Sequence, residues 1–264
     1  MTTIASSVPL PREMQHHTYA ITYEEENKHW WFVGRRRIIA GFVQDICRRL
    51  NVARPRILDV GCGTGANLEL LSQFGAAEGV DISPQAIDFC RLRGLERVRT
   101  GAAEQLPYEN GSFDLLTALD VIEHLDDDVA GLREMRRVLS NDGRILLFVP
   151  AFMFLWGVQD DISHHRRRYT RAGLRRAVVA AGFEIERLTY ANLTFFFPTL
   201  LGRLLMRATG WRPASEANIN IAAMNGALGR VLGAERHLLH HGNLPFGVSL
   251  ICAARRADMT DPVA

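Results

Sequence analysis

The sequence predicts an α/β fold, a doubly wound and mainly parallel sheet of seven strands with helices on both faces. Three observations predict it. From Arg56 onward short β-branched runs alternate with helical periods, which is how repeated βα units read. A glycine loop, Gly61-Cys62-Gly63-Thr64-Gly65, stands between the first such run and the first such period. The 264 residues, 47% hydrophobic and 23% charged, suffice for one large domain with additions.

The first strand is Arg56 to Val60, and after the loop Leu68, Leu71 and Phe74 recur at helical spacing, with Gly75 placed to end that helix in a left-handed conformation. A second strand, Glu78 to Asp81, leads to Ser83 and Pro84, a cap and first-turn pair, and to a helix that Gly94 ends. Arg97 to Thr100 forms a short third strand. Ser112 to Ile122 is too apolar for a surface loop and gives the fourth. Asp126, Asp127 and Asp128 then load the positive end of a helix whose far turn carries Arg133, Arg136 and Arg137. Asn141-Asp142-Gly143 is a turn, Arg144 to Val149 the fifth strand, Thr170 to Ala181 a capped helix, and Phe183 to Leu188 the sixth strand. The last strand, Gly247 to Ala253, follows a long helical insertion. The spacing there predicts helices over 195–209 and 221–239, joined by a polar linker at 211–218. A further helical segment, 23–50, precedes the first strand. The chain thus divides into a loose tail, 1–15, and one domain, 16–264, with an N-terminal helical cap at 16–50 and an insertion or lid at 190–245.

Composition narrows the function. A net charge of +2, from 31 basic and 29 acidic residues, gives no global field for nucleic acid. Cys47, Cys62, Cys90 and Cys252 lack any C-x-x-C pairing, so neither a zinc site nor a disulfide framework is expected, no metal is assigned, and a cytoplasmic setting fits. The N-terminus lacks the apolar core of a signal peptide. The most apolar stretch, Leu193 to Met206, is broken by Pro198 and Arg203 and falls short of the ~20 residues of a spanning helix.

The glycine loop presents bare backbone to a ligand at a helix N-terminus. Gly61-Cys62-Gly63-Thr64-Gly65-Ala66 also satisfies the dinucleotide fingerprint G-x-G-x-x-A, and Asp81 stands where a ribose-binding acid belongs. Charge separates the two readings. Asp59, two residues before the first glycine, opposes a pyrophosphate but attracts the ammonium and sulfonium of S-adenosylmethionine (SAM).

The run Ile57 to Gly65 closely resembles the first motif of class I SAM-dependent methyltransferases, and the resemblance continues along most of the chain after it. Asp81, in Gly79-Val80-Asp81-Ile82-Ser83, matches the family acid that grips both ribose hydroxyls. Gly101 to Pro107, with Ala103 and Glu104, resembles the segment over the adenine, and Leu119-Asp120-Val121-Ile122-Glu123-His124-Leu125 resembles the strand end of quinone-biosynthesis methyltransferases. Asp59, Gly61, Cys62, Gly63, Gly65, Asp81, Ile82, Ala103, Glu104, Leu119 and Asp120 are accordingly the implied cofactor contacts. One departure is that the family often has Asp where Ala102 stands, so Glu104, Gln105 or the backbone of Ala103 must read the adenine edge. The chain also resembles the type 11 and type 12 branch of the methyltransferases, whose motifs do not imply the methyl acceptor.

Methyl transfer from a sulfonium requires an aligned nucleophile and the exclusion of water. An acceptor oxygen also needs a base, for which His124, His164 and His165 are candidates near the strand ends. Trp31, Arg35, Arg36, Arg167, Arg168 and Tyr169 are candidates for an anionic acceptor, since Arg forks suit phosphate and carboxylate. The competing reading packs Trp30, Trp31 and Phe32 on the core and spends the arginines on Glu24 to Glu26 or on Asp160 and Asp161. The expected activity is methylation of an oxygen, ahead of carbon or nitrogen, of a small or lipid-linked metabolite, by a monomer or homodimer. An NAD(P)-dependent oxidoreductase and a non-catalytic SAM-binding regulator remain as alternatives. Nucleic-acid methylation is disfavoured, because no N-P-P-Y type segment follows the fourth strand. The insertion, with Phe195 to Phe197, Leu200, Leu201, Leu204 and Leu205 beside Arg203 and Arg207, permits peripheral contact at the inner membrane face.

Overall fold

A computed structural model describes residues 16–212 and 222–257 of the chain. The expected tail at 1–15 and most of the expected linker lie outside the described residues.

Seven strands form one sheet in the order β3-β2-β1-β4-β5-β7-β6. They are β1 (Arg56–Val60), β2 (Ala76–Asp81), β3 (Val98–Thr100), β4 (Phe113–Leu119), β5 (Leu139–Pro150), β6 (Phe183–Ala191) and β7 (Ser249–Arg256). β1 to β5 run parallel, and β7 is wedged antiparallel to both β5 and β6. A dinucleotide-binding sheet continues its parallel order 3-2-1-4-5-6 without such a wedge. Ile57, Leu58, Leu115, Leu116, Leu147 and Cys252 are fully buried, as expected of central strands covered on both faces. The chain leaves β1 in one direction across the sheet and resumes at β4 in the other. That reversal opens a crevice at the carboxyl ends of β1 and β4.

The helices are α1 (His16–Glu25), α2 (Trp30–Leu50), α3 (Ala66–Leu71), α4 (Pro84–Leu92), α5 (Asp128–Val138), α6 (Val158–Ile162), α7 (Arg171–Ala180), α8 (Phe196–Thr209) and α9 (Asn225–His241). Local signals act as the sequence requires. Thr170 Oγ1 accepts from Gly173 N at 3.1 Å and Asp127 Oδ1 from Ala130 N at 2.9 Å, each capping its helix. Gly94 and Gly182 end α4 and α7 at φ of +78° and +84°.

Four expectations need correction. The N-terminal segment is two helices, because the chain turns at 26–29 and the His29 ring accepts from Trp31 N to start α2 anew. Gly75 is not left-handed. It is glycine for space, since a Cβ there would lie 2.2 Å from the Pro55 carbonyl oxygen. β4 stops at Leu119, where Asp120 turns to φ +60°. The Asn141-Asp142-Gly143 excursion is an irregularity inside β5, which shifts register against β4 between Phe113 and Leu115.

The insertion also docks differently from a lid on the sheet. α9 crosses α2 so closely that a Cβ on Gly34 would meet three Leu232 side-chain atoms at 2.7–2.8 Å, and one on Gly233 would meet Arg37. α8 turns Phe196 and Arg203 inward, and Arg203 Nε donates to the Leu155 carbonyl at 2.9 Å. No helix among the described residues is long and apolar enough to cross a membrane. Gly34→Ala should lower stability by about 1–3 kcal/mol through overpacking, partly offset by the better helix propensity of Ala. Scanning calorimetry should therefore show Tm falling by a few degrees, and an unchanged Tm would mean that the α2–α9 crossing has slack.

Candidate active site

The carboxyl edge of the sheet opens into a cavity of about 670 Å³, within the range of small-molecule sites. The glycine loop and the ends of β2, β4 and β5 form its floor, and residues of α1, α2, α6 and α8 wall it.

At one end the loop is tied to β2. Asp81 Oδ2 accepts from Gly63 N and Oδ1 from Ser83 N, both at 2.9 Å, so this carboxylate is fixed by two backbone donors on the cavity wall. These bonds take two of the about four acceptor positions of a carboxylate. Gly61 sits at φ +67°, and a Cβ there would strike Val121 at 2.5 Å. Gly63, at φ +54°, has open space where its Cβ would be. The loop therefore offers bare backbone to a ligand. Ile82, Ala103, Glu104, Leu119 and Cys62 line the same cavity. Of the two side chains expected to compensate for Ala102, Glu104 is on the wall, whereas Gln105 closes a backbone bridge to Ala102.

Asp59 lies elsewhere than its assigned role suggests. It is 1% exposed, accepts from Thr117 Oγ1 of β4 at 2.6 Å, and is not among the cavity-lining residues. Burial pushes its carboxyl up to about 7, so it cross-ties β1 and β4 behind the loop. Gly65 likewise lies behind the wall. It begins α3 at φ +95°, packed against Leu95 and Cys90.

The acceptor end is built around β4 and the segment after β5. Asp120 holds the left-handed conformation, a strained state that persists where the surroundings enforce it. Its Oδ2 receives Arg35 Nη2 at 2.5 Å, and the Arg35 guanidinium lies over the Phe148 ring at 4.2 Å. His124 and His165 meet edge to face with centroids 4.6 Å apart, both on the cavity. Burial first, then the neighbouring His165, pushes His124 down to about 3. His124 is therefore neutral at physiological pH and a feeble base. His165 Nδ1 is 2.8 Å from Asp160 Oδ1, and the Asp160 carboxyl is held down at about 2 against its burial by His165 and Arg168. His164, at φ +54°, is not on the cavity.

The arginines answer the competing reading. Arg36 donates to the Glu26 carbonyl at 2.5 Å and to Asn27, Arg167 to the Leu125 and Asp126 carbonyls at 2.8 Å, and Arg168 to Asp160 and the Ala151 carbonyl. Arg167 and Tyr169 are off the cavity, and Tyr169 is buried with its hydroxyl 2.7 Å from Asp128. Four expected acceptor contacts thus serve the framework. Trp31, Arg35, Arg36 and Arg168 nevertheless line the wall, the three arginines with their forks already engaged by protein oxygens. Three groups, two expected only as arginine partners and one only within a motif, also take a place in the site. Glu26 receives Thr64 Oγ1 and Arg93 Nη2, clamping α1 over the glycine loop. Glu123, fully buried between Ile122 and His124, and Asp160, five residues before His165, complete the acceptor end. A lone acid inside an apolar run was the signal for Glu123.

The comparisons agree with this geometry. The family described as "Methyltransferase domain" matches residues 58–147, which run from β1 into β5. The ubiquinone biosynthesis O-methyltransferase of Xanthomonas oryzae pv. oryzae is 36% identical over 109 residues, 39% of this chain and 46% of that protein. The ubiquinone/menaquinone biosynthesis C-methyltransferase of Citrifermentans bemidjiense is 37% identical over 118 residues, 38% of this chain and 50% of that protein. The chain thus spans about half the length of the curated relatives it matches. A putative methyltransferase from Haloferax volcanii, solved with the Trm112 methyltransferase activator, shares the fold at a TM-score of 0.60 and 17% identity, over 93% of this chain and 97% of that one. Residues 58–147, which hold the glycine loop anchored by Asp81, thus match a methyltransferase domain, and the wedged strand completes a sheet shared with solved methyltransferase structures.

Proposed function

We propose that the protein transfers the methyl group of SAM to an oxygen atom of a small or lipid-linked acceptor. The observation that carries this is the charge of the cavity wall. Glu25, Glu26, Asp81, Glu104, Asp120, Asp126 and Asp160 line it against Arg35, Arg36, Arg168 and Arg203, and all four of these arginines are already bonded to protein oxygens. Such a wall suits a cationic sulfonium and opposes a pyrophosphate.

The residues present fit SAM. Asp81 would take the ribose hydroxyls, Ile82 and Ala103 the adenine faces, and the Gly61-Cys62-Gly63 backbone the methionine portion. When bound, SAM supplies a methyl group activated by positive sulfur. The chain's own work is to hold the acceptor in line and keep water out, for which Trp31 and Leu119 offer apolar wall. Oxygen acceptors must also lose a proton. His124 is too weak a base, so the acceptor is engaged through His165, whose ring Asp160 orients.

A lipid-linked acceptor is favoured by α8. Phe197, Leu201, Leu204 and Leu205 are each more than half exposed on one side of this helix, while Thr199 and Arg203 reach the cavity. An apolar surface next to the cavity mouth suits an acceptor with an acyl or prenyl tail.

Calorimetric titration should show S-adenosylhomocysteine binding in the micromolar range and no binding of NADH, and the reverse order would overturn the assignment. Asp81→Ala should weaken S-adenosylhomocysteine by on the order of 100-fold or more, the cost of two lost charge-assisted hydrogen bonds at ~1.5 kcal/mol each. His165→Ala should lower kcat by about 10²- to 10⁴-fold while leaving S-adenosylhomocysteine affinity intact, and a parallel loss of both would assign His165 to the cofactor instead. Wild type should co-sediment with anionic liposomes and the triple variant Phe197→Asp, Leu201→Asp, Leu204→Asp should not. Wild type found wholly in the supernatant would remove the lipid-linked acceptor.

A further inference from the structure

Glu123 is the one fully buried acid at the acceptor end that no step above uses. It is 0% exposed, and apart from its own backbone N–H neither carboxylate oxygen has a hydrogen-bond partner. Burial opposes the ionised form of such a group, which must either hold a proton or share the site with a cation. The nearest groups are the two histidines. His165 Nε2 is 4.0 Å from Glu123 Oε1, and one ligand atom from each of Glu123, His124 and His165 can be chosen so that all lie within 4.8 Å of one another.

The outer contacts are those a metal centre needs. His165 Nδ1 is bound to Asp160, which leaves Nε2 turned toward Glu123. His124 is bonded to the Ser163 backbone, which leaves its second ring nitrogen for another partner. Each imidazole is thus oriented through one nitrogen, which leaves the other to serve as a ligand, the arrangement that outer hydrogen-bond partners impose in His-metal sites. Arg168 and the Gly157 amide in turn hold Asp160. Two ligand atoms on one ion, at bonds of about 2.1 Å, lie roughly 3–4 Å apart, so small side-chain rotations close the trio.

We propose that Glu123, His124 and His165 bind a divalent transition-metal ion, of the Zn²⁺ or Mn²⁺ kind, whose open coordination positions face the cavity and take the acceptor hydroxyl. Two imidazoles and one carboxylate select borderline ions over Mg²⁺ and Ca²⁺, which prefer oxygen alone. The cysteine spacing was silent on metal because this donor set contains none. Its role in catalysis rests on the methyl-transfer reading. The ion lowers the pKa of the bound hydroxyl, whose proton leaves to solvent through the cavity. The alkoxide or phenolate oxygen then forms the new O–CH₃ bond as the S–CH₃ bond breaks, and the sulfonium becomes a neutral thioether. With the ion bound, His165 engages the acceptor as a ligand, and the ion instead of the imidazole promotes loss of the hydroxyl proton.

The test uses full-length protein stripped with a chelator and titrated calorimetrically with Zn²⁺, Mn²⁺ and Mg²⁺, and with Co²⁺ followed by its visible spectrum. Expected are one equivalent of Zn²⁺ or Mn²⁺, Mg²⁺ at least ~100-fold weaker, and ligand-field bands from Co²⁺. Glu123→Gln and His165→Ala should each weaken uptake ~100-fold or more and remove the bands. Asp160→Asn, which leaves all three ligands in place, should cost about 10- to 100-fold. His237→Ala, on the exposed side of α9, should change nothing. No stoichiometric uptake by the stripped protein, or uptake undiminished in the Glu123 and His165 variants, overturns the site. S-adenosylhomocysteine titrated into the stripped protein separates the two readings: bound cofactor without metal uptake sinks only the ion, and failure to bind the cofactor sinks the methyltransferase assignment.

Discussion

The Asp81 carboxylate, bonded at once to the amides of Gly63 and Ser83, is the constraint on which the cavity depends. It joins the end of β2 to a loop that starts from β1, so two adjacent parallel strands deliver one rigid edge. The loop can accept that pull only because Gly61 and Gly63 occupy positive φ, where a side chain would be strained. Glu26 applies a second clamp from above, through Thr64 and Arg93, with both carboxylate and guanidinium 9% exposed. Desolvation raises the Glu26 carboxyl even as these partners draw it down, which marks a paired charge held out of water. A floor and a roof of this kind confine a ligand by geometry before any direct contact is made.

Charge inside the molecule follows one rule, that guanidinium groups fasten loops and carboxylates face the cavity. Arg36, Arg137, Arg167 and Arg187 donate chiefly to backbone carbonyls or neighbouring acids, satisfying chain segments that lack strand or helix partners. The near balance of 31 basic and 29 acidic residues therefore hides an uneven distribution. Asp81 and Asp120 stand on the wall with donors supplied from the protein. A dinucleotide site would need the opposite partition.

The strand and helix alternation was legible because it is local: β1 to β5, the caps at Asp127 and Thr170, and the stops at Gly94 and Gly182 each depend on residues within a few positions. What escaped depends on contacts across long separations. The docking of α9 on α2 rests on glycines nearly 200 residues apart, Gly34 and Gly233, and neither looks special in its own helix. The arginines after β5 looked like an anion site because their type was visible and their partners were not. Arg167 finds the carbonyls of Leu125 and Asp126, 42 and 41 residues earlier, which only the fold brings near. Asp59 shows the converse error. Its position in the motif was right, but the pleat of β1 turns its side chain onto Thr117 instead of the cavity.

The two histidines at the acceptor end show why residue type underdetermines role. Both came from segments that the fold class places at strand ends, and both reach the cavity. Their surroundings then separate them. His124 lies among His165, His164 and Arg166, all of which oppose its protonation, whereas His165 has the ionised Asp160 on one nitrogen and Glu123 beyond the other. A neutral imidazole that cannot hold a proton has no use as an acid or base, but it retains a lone pair. Placed beside a carboxylate to which no other residue donates, that lone pair favours coordination over proton transfer.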